Sequence, residues 1–187
     1  MSSTSLTFWT ASRKSSLSAI DAQCAASLKA TPANPLLADE NVRGYGLLLS
    51  AHFQGFCRDL YTEAAQIVAS KVRSSLRPLI QKEFTVRTAL GYGNPNNENI
   101  VTDFQRFGFK LNFAESDPAN APRLGHLSAM NRWRNIAAHH GTVPPGDTPS
   151  LADLRLWCES CHGLAVSLDG IVYNRLMTLL RRKPWTQ

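Results

Sequence analysis

No stretch of this chain approaches the roughly 20 consecutive apolar residues that a membrane-spanning helix needs. Met1 to Thr7 is rich in Ser and Thr, and it has neither the basic start nor the apolar stretch of a secretory signal. The expectation is a soluble, cytoplasmic protein. Cysteine is scarce: Cys24, Cys57, Cys158 and Cys161 are all there are in 187 residues. A chain of that length buries a core without a disulfide framework. Strand signals are also scarce, because long apolar–polar alternation is missing and Val/Ile clusters are few. Acidic residues fall short of basic ones, 14 against 20, which leaves a net charge of +6 and a pI near 9.4. That balance favours a polyanionic partner. Basic residues gather in Lys71–Arg87 and in Arg181-Arg182-Lys183.

What remains is helical periodicity. A first helix is expected from Phe8 to Ala30, ended by Thr31-Pro32-Ala33-Asn34-Pro35. A long helix is expected from Glu40 to Ser75, with Leu48, Phe53, Phe56, Leu60, Ala64, Ile67 and Val68 at helical intervals. Pro78 opens or kinks a segment running towards Leu90. Gly91-Tyr92-Gly93-Asn94-Pro95-Asn96-Asn97 reads as a loop, and a short helix follows over Asn99–Phe107. Gly108 to Pro122 reads as irregular. Two further helices are expected, Leu124–His140 and one reaching Arg182 that starts with a capping-box-like Ser150-Leu151-Ala152-Asp153. The fold class is therefore all-α: one domain over 1–187, an antiparallel helical bundle over 40–182 with an extra N-terminal helix and linker over 1–35.

The chemistry concentrates in Arg134-Asn135-Ile136-Ala137-Ala138-His139-His140-Gly141. At about 100° per residue, Leu127, Met130, Arg134 and Ala137 form one helical stripe, so Arg134 interrupts an apolar line. A charge placed there is costly unless it is paired or faces a cleft. Ser128, Arg132, Asn135 and His139 form a polar stripe, on which the Asn135 amide can orient the His139 imidazole. Gly141 suits the end of the helix, and Pro144 and Pro145 forbid its continuation. Arg holds phosphate through two hydrogen bonds, and His exchanges protons near neutral pH. A phosphodiester cleaved without a metal needs both. The candidate catalytic residues are Arg134, Asn135 and His139, with His140 and Arg132 as supporting or RNA-binding residues. No metal or cofactor is expected. The bland reading of the same residues is an Arg that snorkels to the surface and His residues placed by the helix dipole.

Other patterns point less far. Cys158-Glu159-Ser160-Cys161-His162 matches the spacing that attaches c-type haem. It falls inside the last helix, with both thiols on an expected core face, where Cys acts as a small hydrophobe. His52 and Asp59 share a face of the long helix. His126 is expected at the surface in the first turn of its helix. Phe104, Phe107, Phe109 and Phe113 read as core. Gly44-Tyr45-Gly46 and Gly91-Tyr92-Gly93 lack the strand–turn–helix setting of a phosphate loop.

The spacing Arg134-Asn135-x-x-x-His139, late in a wholly helical chain and followed by one more long helix, resembles the HEPN superfamily across Leu47–Arg182, and most nearly the RiboL-PSP-HEPN type. That resemblance implies a metal-independent endoribonuclease that attacks RNA through its own 2′-OH. It also implies a two-fold homodimer that brings two motifs into one cleft, and a setting in bacterial defence or a toxin–antitoxin pair with a cognate antitoxin or defence partner protein. The alternative is a non-catalytic helical module that binds RNA, a nucleotide or a partner protein, such as an antitoxin for a neighbouring gene product.

Overall fold

The computed structural model describes residues 2–139 and 148–185, and every described element is helical. Four long helical stretches alternate in direction, as their cross-contacts show. The first comprises α1 (Thr4–Phe8), a π-helical turn (Trp9–Arg13) and α2 (Lys14–Leu28). It runs antiparallel to α3 (Pro35–Ala69): Arg13 reaches the His52 carbonyl and Asp59, while Ile20 lies against Gly44. α3 runs antiparallel to α8 (Asn120–His139), with Gly46 against Trp133 and Arg43 against the Ala137 carbonyl. α8 runs antiparallel to α9 (Leu151–Leu180), pairing Trp133 with Trp157 and Asn120 with Ser167. α9 closes the ring on the first stretch through Arg155–Asp21, His162–Trp9 and Asp169–Ser3. The N-terminal helix, expected as an addition, is one of the four members.

The starts of these helices follow local chemistry. Ser3 accepts a hydrogen bond from the Leu6 N–H, which moves the first helix forward to Thr4. Asn34 caps α3, and Pro35 occupies its first turn, where the missing N–H costs nothing. Ser150 and Asp153 form a full capping box at α9. α8 begins at Asn120 rather than Leu124, because Pro122 in the first turn is compatible with helix. The stretch after Pro78 divides into α4 (Arg77–Thr85) and α5 (Ala89–Tyr92), separated at Arg87, which adopts a left-handed φ of 54°. α6 (Asn97–Gln105) and α7 (Phe113–Ser116) complete the connection from α3 to α8.

The core is aromatic at its centre. Trp9, Phe53 and Phe56 are fully buried and mutually packed, and a second cluster joins Tyr61, Phe104, Phe107, Phe84 and Phe109. Each fully buried aromatic ring contributes about 1.5–3 kcal/mol through lost contact with water. Gly46 lets α3 approach α8, because any Cβ there would overlap the Trp133 ring. No helix among the described residues is long and apolar enough to cross a membrane.

Candidate functional site

α8 buries Leu127, Met130, Trp133 and Ala137 against α3 and α9. Arg134 stands at the edge of that face, half-buried, and Asn135 is exposed beside it. Among the described residues Arg134 has no acidic partner. Its one hydrogen bond there is long, from Nη1 to Asn135 Oδ1 at 3.3 Å. A guanidinium carries five N–H donors in a fixed fork, so most of this fork is unspent. A half-buried cation without a carboxylate suits an incoming anion.

Asn135 is held from the other side. Its Oδ1 also accepts from Asn94 Nδ2 at 2.7 Å, so two donors fix the amide oxygen. Its Nδ2 donates to no described residue. The free end of the amide is thus a donor next to the Arg134 fork. The structure brings these two expected residues together and adds Asn94, which the sequence did not single out. One turn earlier, Asn131 Nδ2 donates to the Pro95 carbonyl at 3.4 Å, so α8 grips the 93–96 loop twice.

The C-terminal end of α8 carries a further cation that sequence reasoning missed. Arg43 of α3 donates to the Ala137 carbonyl at 2.5 Å and lies 3.9 Å from Glu40. A guanidinium there satisfies a carbonyl in the last turn and opposes the negative end of the helix dipole. Nothing in the sequence around Arg43 marks it, because the contact spans 94 residues. The backbone of His139 closes α8, and its side chain lies outside the described residues. His140, Gly141, Pro144 and Pro145 also lie outside them.

Arg132 does not join Arg134. Two residues apart on a helix, they point about 160° away from each other. Arg132 lines a different cleft, of about 360 Å³, with Ala129, Trp133, Ile136, Asp153 and Trp157. Asp153 is committed there to the α9 cap, and hydrogen bonds from the Ser150 hydroxyl and N–H hold its carboxyl below the usual carboxylate range.

The remaining His and Cys residues are built into the packing. Cys158 and Cys161 are buried in α9 as free thiols, and burial pushes both thiol pKa values up. Cys161 Sγ lies 4.0 Å from Met130 Sδ. His162 Nδ1 accepts from Trp9 Nε1 at 3.2 Å. Burial, with Lys14 and Arg123 nearby, lowers its pKa, and Glu159 opposes that. His52 is half-buried, and its imidazole pKa is lowered first by burial and then by Arg13. Arg13 bridges the His52 carbonyl at 2.8 Å and Asp59 at 2.6 Å. His126, expected at the surface, is half-buried and hydrogen-bonded to Ser160 Oγ at 2.8 Å, because α9 packs over the start of α8. Among the described residues no group of three or more His, Cys, Asp or Glu side chains is arranged to hold a metal.

Comparison with family models, curated proteins and solved structures finds no match for this chain.

Proposed function

We propose that this protein is a HEPN-like, metal-independent endoribonuclease that works as a homodimer. The observation that carries the reading is Arg134: a half-buried guanidinium with no acidic partner among the described residues, beside a fixed amide and just over one turn before His139. In this reading His139 takes the proton from the ribose 2′-OH. The 2′ oxygen forms a bond to phosphorus, and the P–O5′ bond breaks. The departing O5′ takes a proton from the imidazole of a second copy. Arg134 neutralises the charge that builds on the phosphoryl oxygens as phosphorus becomes pentacovalent. Asn135 donates from its free Nδ2 to the phosphate or to His139. The products are a 2′,3′-cyclic phosphate and a 5′-OH.

One Arg–His set per chain supplies one base, and a two-fold contact supplies the missing acid by setting two α8 ends in one groove. His140 serves RNA binding, and Arg132, which lines a different cleft, contacts RNA only outside that groove. The setting that fits such an activity is anti-phage defence or a toxin restrained by a partner protein.

The test uses purified protein with single-stranded RNA and single-stranded DNA of the same sequence, in EDTA. RNA is expected to be cut to cyclic-phosphate ends, DNA to stay whole, and light scattering to give twice 20.6 kDa. RNA that is bound but left intact would turn the reading to a non-catalytic binding module. A stable monomer would remove the shared groove.

A further inference from the structure

Tyr92 is 87% exposed, far more than any other aromatic residue described. Among the described residues it makes no hydrogen bond and no ring contact. The backbone that carries it is held unusually firmly. Asp103, itself buried, accepts from the Ala89 and Leu90 N–H groups at 2.8 Å each. Gln54 Nε2 donates to the Leu90 carbonyl at 2.9 Å and to the Gly93 carbonyl at 2.8 Å. Asn99 Nδ2 donates to the Asn94 carbonyl at 2.8 Å. The flanking glycines are needed for that geometry: a Cβ at Gly91 would meet Thr88 Oγ1, and one at Gly93 would overlap Asn99. Five side-chain hydrogen bonds therefore fix a short turn that buries Leu90 in the core and holds Tyr92 out into solvent.

That turn is also tied to the candidate site. Asn94, two residues after Tyr92, bonds to Asn135. Two residues of chain span at most about 7 Å, so the ring is rooted within roughly one nucleotide's reach of the amide and the Arg134 fork. We propose that Tyr92 is a stacking platform for an unpaired base of single-stranded RNA, next to the phosphate held at Arg134 and Asn135. This rests on the reading of that site as an RNA site. A planar, rigidly mounted aromatic beside free cationic donors is the arrangement that binds bases without regard to their identity. A protein contact is disfavoured, because Leu90 of the same turn is buried and Tyr92 is left as its one large exposed side chain, without the ring of sealing contacts found around protein hot spots.

The experiment measures anisotropy of a labelled, mixed-sequence single-stranded RNA in EDTA at several salt concentrations. Cross-linking of the same RNA carrying 5-iodouridine is then mapped by mass spectrometry. Tyr92→Ala is expected to weaken binding roughly 5- to 150-fold with an unchanged salt slope, because no phosphate contact is lost. Tyr92→Phe and Tyr92→Trp keep wild-type binding, Tyr92→Leu does not, and the cross-link falls on Tyr92. The proposal is overturned if Tyr92→Ala binds as wild type, if the cross-link maps elsewhere, or if the variant changes the oligomeric state instead. Tyr92-dependent binding without cleavage keeps the platform and removes the nuclease reading. Cleavage with Tyr92-independent binding does the reverse, and no RNA binding by wild type removes both.

Discussion

His162 accepts a hydrogen bond from Trp9, Cys161 lies against Met130, and His126 pairs with Ser160. Cys161 and His162 have motif-like spacing in the sequence and His126 is expected at the surface, yet each is occupied by a neighbour in the bundle. At the end of α8 the balance is opposite. Among the described residues Arg134 has one long hydrogen bond, Asn135 Nδ2 has no acceptor, and Tyr92 makes no hydrogen bond or ring contact. Similar polar side chains thus do opposite work in the two regions. In the bundle, His162, Cys161 and His126 each meet a polar or sulfur partner on a neighbouring helix. At the end of α8, they are positioned by other residues and left unsatisfied. Function is sought where the scaffold spends hydrogen bonds on holding a group that gives nothing back to stability.

Substitutions that move only one of the two regions sharpen this contrast. The largest effect is expected inside. Trp9→Ala removes a fully buried ring packed on Phe53 and Phe56 and strips His162 of its donor. A loss of about 3–5 kcal/mol is expected in chemical denaturation. A loss below about 1 kcal/mol would mean that the first helix is not an integral member of the bundle.

A second test uses protons. The His162 and His52 imidazoles have pKa values below the ordinary 6.5, with burial the leading cause in both. The unfolded chain therefore binds more protons than the folded one as pH drops below about 6.5, and stability contributed by neutral imidazole falls there. The melting temperature should decline between pH 7.5 and 5.5, a window set by that ordinary value. His162→Gln retains an acceptor for Trp9 and should flatten the decline. A decline of the same slope in the variant would assign it to other groups.

The contrast also separates what the sequence made legible from what it hid. Periodicity identified the all-helical class, and α8 and α9 follow the expected helices to within four residues. α3 starts five residues earlier than expected, because Asn34 caps it and Pro35 fits its first turn, and it ends six earlier. The buried line Leu127, Met130 and Ala137, with Arg134 breaking it, is visible in the sequence, because helical spacing alone decides it. Cys158 and Cys161 likewise face the core as their spacing requires. Arg43, Asn94 and the Gln54 clamp were not legible, because each acts on a residue more than 30 positions away and carries no local pattern. Tyr92 was visible only as the centre of a Gly-Tyr-Gly turn. Whether an aromatic is core or surface depends on tertiary packing, which its neighbours in sequence do not report.

The smallest effect belongs to the tie between the regions' shared loop and the motif helix. Asn94→Ala removes one exposed hydrogen bond to Asn135. A stability loss near 1 kcal/mol or less is expected, with a few-fold loss of RNA cleavage as Asn135 loses its orientation. Thermal melts and initial rates on the same preparation check both. A large stability loss with unchanged cleavage would make Asn94 a structural residue.

The most direct measurement is the pair of values obtained from Arg134→Ala: unfolding free energy and rate of RNA cleavage in EDTA, on one preparation of the variant and one of wild type. The account predicts stability within about 0.5 kcal/mol of wild type, as for an ordinary surface substitution. It predicts cleavage reduced by about 10²–10³-fold, as when a donor to developing phosphoryl charge is lost. Full cleavage by the variant, or a destabilised variant whose cleavage falls only with its folded fraction, would contradict it.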